Sequence, residues 1–262
     1  MTVFPQLVTG ALAQFACEKR LYGRAVISRA ADASTFAAAD PDGRRVGWNL
    51  AYTGLTVGEF GALKDLFDAS EGRLNTFLFL DPMANLLGWT EDLSAAAWHA
   101  DALLGVSAGA GGPAGNSFQL ANSGAGWAEL SQTLPAPTDF VYAFSIWARG
   151  TGALRLRRSI AGDSEEVEFA LTPDWRRIQL NGAFPSVGLG ISFSIGLPAA
   201  GVAEVAGPQV EAQLTAGAYK PSLGRGGIYP AARFGTDQLL SRVEAPDWID
   251  SQVTIESRFE GI

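Results

Sequence analysis

Residues able to do nucleophilic or metal chemistry are few in this sequence. The chain has one cysteine, Cys17, and one histidine, His99, far apart along the chain. A Cys–His nucleophile would need the fold to bring these two together, and one thiol with one imidazole cannot complete a typical zinc shell. A single cysteine also excludes an internal disulfide bond. We therefore expect no metal and no cofactor.

Carboxylates cluster in one segment, at Asp163, Glu165, Glu166 and Glu168. Glycosidases use two carboxylates across a sugar, and carboxylates with carbonyl oxygens suit calcium. Glu166 and Glu168, however, alternate with apolar residues, which is typical of a solvated strand face. Residues 109–115 are rich in glycine but lack the Gly-Lys-Ser/Thr of a phosphate loop, and no Gly-x-Ser-x-Gly elbow occurs. The sequence predicts no catalytic residue and no enzyme activity.

Aromatic side chains are the remaining candidates for ligand contact, because sugars stack their C–H faces on exposed rings. Trp127 follows Gly124-Ala125-Gly126 in a predicted loop or strand edge. It is our candidate for a sugar-stacking residue, although packing in the core or at a hinge is the interpretation that we favour for this ring as well. For Trp89, Trp98 and Trp175 we favour packing.

Composition narrows the class of partner. Hydrophobic residues make up 47% of the chain, charged residues 18%, and the net charge is −8. Lysine and arginine form no stripe, and Arg155-Leu156-Arg157-Arg158 reads as a strand edge, so nucleic-acid binding is not expected. No apolar stretch reaches the roughly 20 residues of a membrane span. The start of the sequence lacks the pattern of a secretory signal, so we expect folding in a cytoplasm.

The first 83 residues are predicted to hold strands and one helix. Val46, Trp48, Leu50 and Tyr52 alternate with polar or small residues, which indicates a half-buried strand over 45–52. Residues 22–27 are a plausible partner strand. Thr56 and Glu59 form a capping box at the start of a predicted helix. Gly72 ends this helix in a left-handed conformation. A strand over 76–80 follows.

The sequence changes character from Asn85. Short apolar runs separated by Gly, Ser and Pro predict eight strands at roughly 10-residue spacing, typical of an antiparallel sandwich: 117–121, 128–133, 141–148, 153–160, 165–171, 176–180, 190–196 and 203–211. A linker after Pro221 leads to predicted strands at 238–243 and 252–259. This last piece is too short to fold alone.

The predicted fold class is therefore mainly β: a split β-sandwich domain with one helix, and an antiparallel jelly-roll sandwich inserted into it. The predicted boundaries are 1–83 for the first part of the split domain, 84–225 for the insert and 226–262 for the second part. A domain insertion leaves and returns through neighbouring chain ends.

Two sets of motifs carry a resemblance to phage tail proteins. The opening segment Asn85–Trp98, with closing segments Gly207–Glu211 and Ala218–Ser222, resembles carbohydrate-binding-module-like jelly-roll domains of bacteriophage tail proteins. Residues 48–55, Glu71-Gly72 and 76–82 resemble the ring-forming domain of distal tail (baseplate) proteins of long-tailed phages and gene transfer agents.

The resemblance implies an architectural role. Such proteins form a hexameric ring at the tip of the tail tube, between tube subunits and the hub that carries a spike or fibre. It implies a virion structural protein located at the tail tip, whose working surfaces are protein interfaces. The alternative is a receptor-binding tail protein that holds host surface glycan through the jelly-roll. The resemblance transfers no binding residue.

Overall fold

The computed structural model describes residues 2–8, 16–40 and 43–258. It divides into two compact units. Unit 1 combines Met1–Phe79 with Tyr229–Ile262, and unit 2 is Leu80–Ile228. The chain therefore enters unit 2 once and returns once. The predicted mainly β class is confirmed, since the described residues form several antiparallel sheets and one helix.

Unit 1 is built on one six-stranded sheet, which we call sheet A, with a helix and a separate two-stranded hairpin. Its strands are β1 (Cys17–Tyr22), β2 (Ala25–Arg29), β3 (Thr35–Ala39), β4 (Arg45–Leu55), β5 (Phe77–Leu80), β16 (Ile228–Phe234), β17 (Leu240–Ala245) and β18 (Trp248–Arg258), and its helix is α1 (Val57–Ala69). The sheet order is β1-β4-β18-β16-β5, with β17 also paired to β18. The last strand of the chain thus lies at the centre of the sheet that the first strands begin. The chain leaves through β5 and returns through its neighbour β16.

The core of unit 1 follows the alternation of β4. Val46, Trp48, Leu50 and Tyr52 are all buried, as predicted. Helix α1 has the expected capping box: the Thr56 hydroxyl accepts from the Glu59 amide, and the Glu59 carboxylate accepts from the Thr56 amide at 3.0 Å. Gly72 has φ +62°, which confirms the left-handed position after the helix.

The predicted strand over residues 22–27 is wrong. The strand paired with β4 is β1, which ends at Tyr22 opposite Arg45. After Gly23 and Arg24 the chain starts a separate hairpin, in which β2 (Ala25–Arg29) pairs with β3 (Thr35–Ala39). Apolar residues before and after Gly23 and Arg24 gave one continuous strand pattern. This pattern did not show that the two strands pair with different neighbours, β1 with β4 and β2 with β3.

Unit 2 is a sandwich of two five-stranded sheets. Its strands are β6 (His99–Ala100), β7 (Leu104–Ala108), β8 (Ser117–Asn122), β9 (Ala128–Pro137), β10 (Tyr142–Gly150), β11 (Ala153–Ile160), β12 (Asp163–Ala170), β13 (Arg176–Gly182), β14 (Leu189–Leu197) and β15 (Val202–Glu211). Sheet B has the order β13-β10-β15-β8-β7, and sheet C has the order β12-β11-β14-β9-β6. Each of the eight predicted strands corresponds to one of these, whereas β6 and β7 were not predicted.

The sandwich core lies between the two sheets. Tyr142, Phe144 and Ile146 point inward from β10 and contact the core, while Trp147 lies on the other face. In sheet C, Phe193 packs edge-on against the Tyr142 and Phe144 rings. In unit 1, the predicted strand over 252–259 is β18, although Phe259 lies outside the described residues.

Candidate functional site

The opening and closing segments of unit 2 bind each other. Thr90 is fully buried, and its hydroxyl lies 2.9 Å from the Tyr219 hydroxyl and 3.1 Å from the Ser222 hydroxyl. The Ser222 amide donates to the Thr90 hydroxyl at 3.0 Å, and the Tyr219 hydroxyl donates to Glu91 at 2.6 Å. Asn85 donates to the Pro208 carbonyl and accepts from the Val210 amide. These motifs therefore close the sandwich.

Backbone geometry explains why the closing motif has a glycine at position 207. It has φ +57°, where a side chain is strained, and the β10–β15 register shifts beside it. A Cβ at this position would also lie 3.2 Å from the Tyr219 ring. The glycine thus lets β15 bulge and lets Tyr219 pack against it.

The outer face of sheet B is covered by the chain itself. Arg177 donates to the Gly217 carbonyl at 2.6 Å, and Asn181 donates to the Leu214 carbonyl at 3.0 Å. The loop around Gly112 lies over Trp175, whose ring is 3.2 Å from the position of a Gly112 Cβ. Segments 109–116 and 212–222 therefore occupy this face.

The outer face of sheet C carries polar side chains in register. Three rows cross β12, β11, β14 and β9. We call this surface the polar face. Its first row is Glu168, Arg155, Gly196 and Glu129, and its second row is Glu166, Arg157, Ser194 and Ser131. Its third row consists of hydroxyl side chains, at Ser164, Ser159, Ser192 and Thr133. Leu154, Leu156 and Arg158 are buried, so Arg155 and Arg157, which alternate with them, point to the outer face. The sequence placed Arg155 and Arg157 on a strand edge, but β11 is flanked by β12 and β14.

Side chains of the polar face hydrogen-bond to one another. Arg155 donates to Glu129 at 2.6 Å and to Glu166 at 3.2 Å, and Thr133 and Ser192 share a hydrogen bond of 2.6 Å. The Nε atoms of Arg155 and Arg157 are buried and have no hydrogen-bond partner among the described residues. The face therefore presents fixed planar donors and acceptors next to a row of hydroxyls.

The charge state of Glu129 follows from these contacts. Burial by itself raises the pKa of this carboxyl, but hydrogen bonds from Ser194 and Arg155 and the charges of Arg157 and Arg155 outweigh burial. The pKa of Glu129 lies below its ordinary value as a result. Glu129 is therefore an ionised acceptor at neutral pH and a poor general acid.

Trp127 lies at one end of the polar face. Its side chain is 37% exposed, and the Arg155 guanidinium stacks 4.3 Å from the ring centre. Gly196 lies next to both groups, since a Cβ at this position would be 3.4 Å from the Trp127 ring and from the Arg155 Nε. The structure thus places the predicted sugar-stacking residue beside polar side chains that the sequence did not connect with it. Its contact with sugar stays a prediction.

The other residues considered from the sequence are not brought together into a reactive site. Cys17 lies in β1 of unit 1 and His99 in β6 of unit 2. Of the carboxylate cluster, Glu165 pairs with the buried Arg158, and Glu166 pairs with Arg155. Trp98 is buried and donates to the Trp89 carbonyl, and Trp175 stacks with Arg149.

Unit 2 also has a cleft of about 640 Å³ beside the opening segment, lined by Glu91, Asp92, Ser94, Ser107, Asn116 and their neighbours. Within residues 2–8, 16–40 and 43–258, no three His, Cys, Asp or Glu side chains are grouped so as to hold a metal ion. Across the same described residues, no helix has both the length and the hydropathy that a bilayer crossing requires.

Neither a protein-family model nor a curated protein matches the chain. Solved structures similar to about half of it include the enzymatically active domain of tailspike protein 4 of bacteriophage CBA120, with 15% identity over 51% of this chain and 22% of that chain and a TM-score of 0.40. TmCBM61 in complex with β-1,4-galactotriose has 19% identity over 48% of this chain and 97% of that chain, with a TM-score of 0.38. The CBM22-1–CBM22-2 tandem domain of Paenibacillus barcinonensis Xyn10C has 14% identity over 52% and 50%, with a TM-score of 0.41. The match thus spans about a fifth of the tailspike chain. At such identities and TM-scores, these likenesses do not indicate what this chain binds.

Proposed function

We propose that this chain is a non-enzymatic attachment protein that binds glycan on the polar face of unit 2. The observation that carries the proposal is the row of Arg155 and Glu129 beside the half-exposed Trp127, with the row of hydroxyls two rows further along the same face. Neighbouring sugar hydroxyls pair with fixed planar donors and acceptors, and the apolar sugar face stacks on an indole ring. Sheet C offers both kinds of contact on one surface.

Binding without hydrolysis is the expected outcome. Glycoside hydrolysis needs a protonated carboxyl on one side of the scissile bond and a second carboxylate facing it. Glu129 and Glu166 both accept from Arg155, and the pKa of Glu129 is lowered. These carboxylates are suited to accepting hydrogen bonds from a sugar. A test for release of reducing sugar from bacterial envelopes is expected to be negative.

A glycan array tests the proposal. The wild-type chain is expected to bind a subset of bacterial surface glycans, and Trp127→Ala to lose about tenfold or more in affinity, which corresponds to about 1.4 kcal/mol. Trp89→Ala is a matched control, because this tryptophan is exposed to a similar extent (39%) in the same unit and lies outside the polar face. Silence of the wild-type chain on all glycans, or equal loss for both variants, would overturn the proposal.

The second candidate is the one that the motifs of unit 1 imply: a ring component of a phage-like tail tip, assembled in the host cytoplasm and located in the virion. Tube and hub proteins would be its partners, and unit 2 would serve for attachment. The hairpin β2–β3 supports self-assembly. Every residue of both strands is exposed, including Ile27 at 66% and Phe36 at 68%. A lone two-stranded hairpin is marginally stable, so this one gains from packing against a partner.

Mass photometry and negative-stain microscopy test the second candidate. Ring-shaped homo-oligomers, with hexamers as the expected size, would support it, as would co-sedimentation with tube or hub proteins. A monomer at every concentration, with no affinity for those proteins, would refute assembly and leave glycan binding to be judged on the array alone.

A further inference from the structure

A cleft of about 540 Å³ in unit 1 is lined by arginines. Four arginines and one carboxylate surround it, at Arg24, Arg45, Arg233, Arg258 and Glu256. The formal charge of these five side chains is 4 − 1 = +3. We call this site the arginine cleft. It stands out in a chain whose net charge is −8.

The positive charges of the arginine cleft repel one another. Arg45 and Arg258 are directly opposite across β4 and β18, and like charges in this position destabilise a sheet. Arg45 reaches Glu256 only at 3.8 Å, while Arg24 is paired with Asp40 at 3.2 Å. The guanidinium forks are suited to carboxylates from outside the cleft.

The other end of the same sheet is acidic and apolar. There Leu55 pairs with Ile249, nine residues along β18 from Arg258, which is about 30 Å away at strand spacing. The segments that meet at this end carry one cationic side chain, Arg242, and four carboxylates. The carboxylates are Glu59, Glu244, Asp247 and Asp250. Exposed apolar side chains stand among them, namely Val57, Val243 and Trp248. We call this surface the acidic end.

Opposite charges on two ends of one sheet cannot meet within a single copy at that separation. They can meet between copies, which gives a head-to-tail contact in which two different surfaces pair. Charge complementarity then sets the orientation of the encounter. The hairpin β2–β3 follows Tyr22, which pairs with Arg45, so it starts beside the arginine cleft and adds apolar surface to that side.

We propose that unit 1 associates head to tail with a second copy of this chain, and that the arginine cleft of one copy receives the acidic end of the next. The inference rests on the second candidate above, self-assembly, and adds which two surfaces join. It also predicts that association weakens by about tenfold or more between low salt and 1 M NaCl, since the screening length falls to about 3 Å.

Two one-sided variants test the pairing. Arg45→Glu with Arg258→Glu breaks the arginine cleft, and Glu244→Lys with Trp248→Ala breaks the acidic end. Each variant alone is expected to be monomeric in mass photometry and analytical ultracentrifugation. An equimolar mixture is expected to give dimers and nothing larger, because each variant keeps the one surface that the other lacks.

Controls separate this contact from other causes. Circular dichroism and thermal melting establish that each variant is folded, and Arg73→Glu, an exposed arginine outside both surfaces, is expected to assemble like the wild type. Variants that still assemble as the wild type does, or a mixture that stays monomeric, would overturn the head-to-tail contact. A wild-type chain that never associates would refute self-assembly itself. Glycan binding by both variants is expected to be unchanged.

Discussion

Replacement of Thr90 by Val tests how strongly the opening and closing segments hold unit 2 together. The substitution keeps the shape of the side chain and removes a buried hydroxyl that accepts from the Ser222 amide at 3.0 Å and contacts the Tyr219 hydroxyl at 2.9 Å. A buried donor left without a partner costs about 1–3 kcal/mol. Tyr219 keeps its bond to Glu91, so the Ser222 amide is the main loss. We expect unit 2 to lose about 2 kcal/mol of unfolding free energy.

The assay is urea and thermal unfolding followed by tryptophan fluorescence. A loss of this size lowers the Tm of a unit of about 150 residues by roughly 4–8 °C. Trp98 reports on the same region, because its indole donates to the Trp89 carbonyl. Thr90→Ser keeps the hydroxyl and is expected to lose under about 1 kcal/mol. If Thr90→Val proves as stable as the wild type, or no less stable than Thr90→Ser, the closing role of this hydroxyl is refuted.

Three further predictions concern other parts of the chain. Gly226→Ala is expected to destabilise unit 2 by more than about 1 kcal/mol, because the new Cβ would overlap the Leu86 carbonyl; a neutral result in urea unfolding would contradict this. Gly58→Ala is expected to stabilise unit 1 by about 0.5–1 kcal/mol, because Gly58 lies in α1 with nothing within 4 Å of the new Cβ; a lower unfolding midpoint would count against it. Since the pKa of Glu129 is lowered in the folded chain, its ionised form stabilises the polar face above the ordinary carboxyl pKa, and this contribution is lost as pH falls through the folded value. Melting temperatures between pH 7 and pH 3 should therefore drop more for the wild type than for Glu129→Gln, and parallel curves would exclude this role.

Assembly and attachment can be measured separately in this protein. The arginine cleft and the hairpin β2–β3 belong to unit 1, while the polar face and Trp127 belong to unit 2. A variant on one unit is thus expected to alter one property alone. Loss of glycan binding in a folded variant with Arg45→Glu and Arg258→Glu would contradict this separation.

Local patterns in the sequence were sufficient for much of the fold. The alternation of Val46, Trp48, Leu50 and Tyr52 predicts β4 because strand side chains point to opposite faces in turn. The capping box of Thr56 and Glu59 marks the start of α1, because its hydrogen bonds join residues only three apart. The opening and closing segments of unit 2 could be recognised as motifs, although their sequence did not reveal that Thr90 meets Ser222.

Tertiary structure decided which of these elements are neighbours and which surfaces stay open. Arg155, Gly196 and Glu129 lie on three separate strands, and only the register of β11, β14 and β9 joins them beside Trp127. Likewise, Arg45 and Arg258 are far apart in the sequence and adjacent in the sheet. The physical reason is that contacts between distant residues depend on strand order and register, which the whole core sets. Composition and periodicity therefore determined the elements of this protein, and packing determined which of their side chains meet.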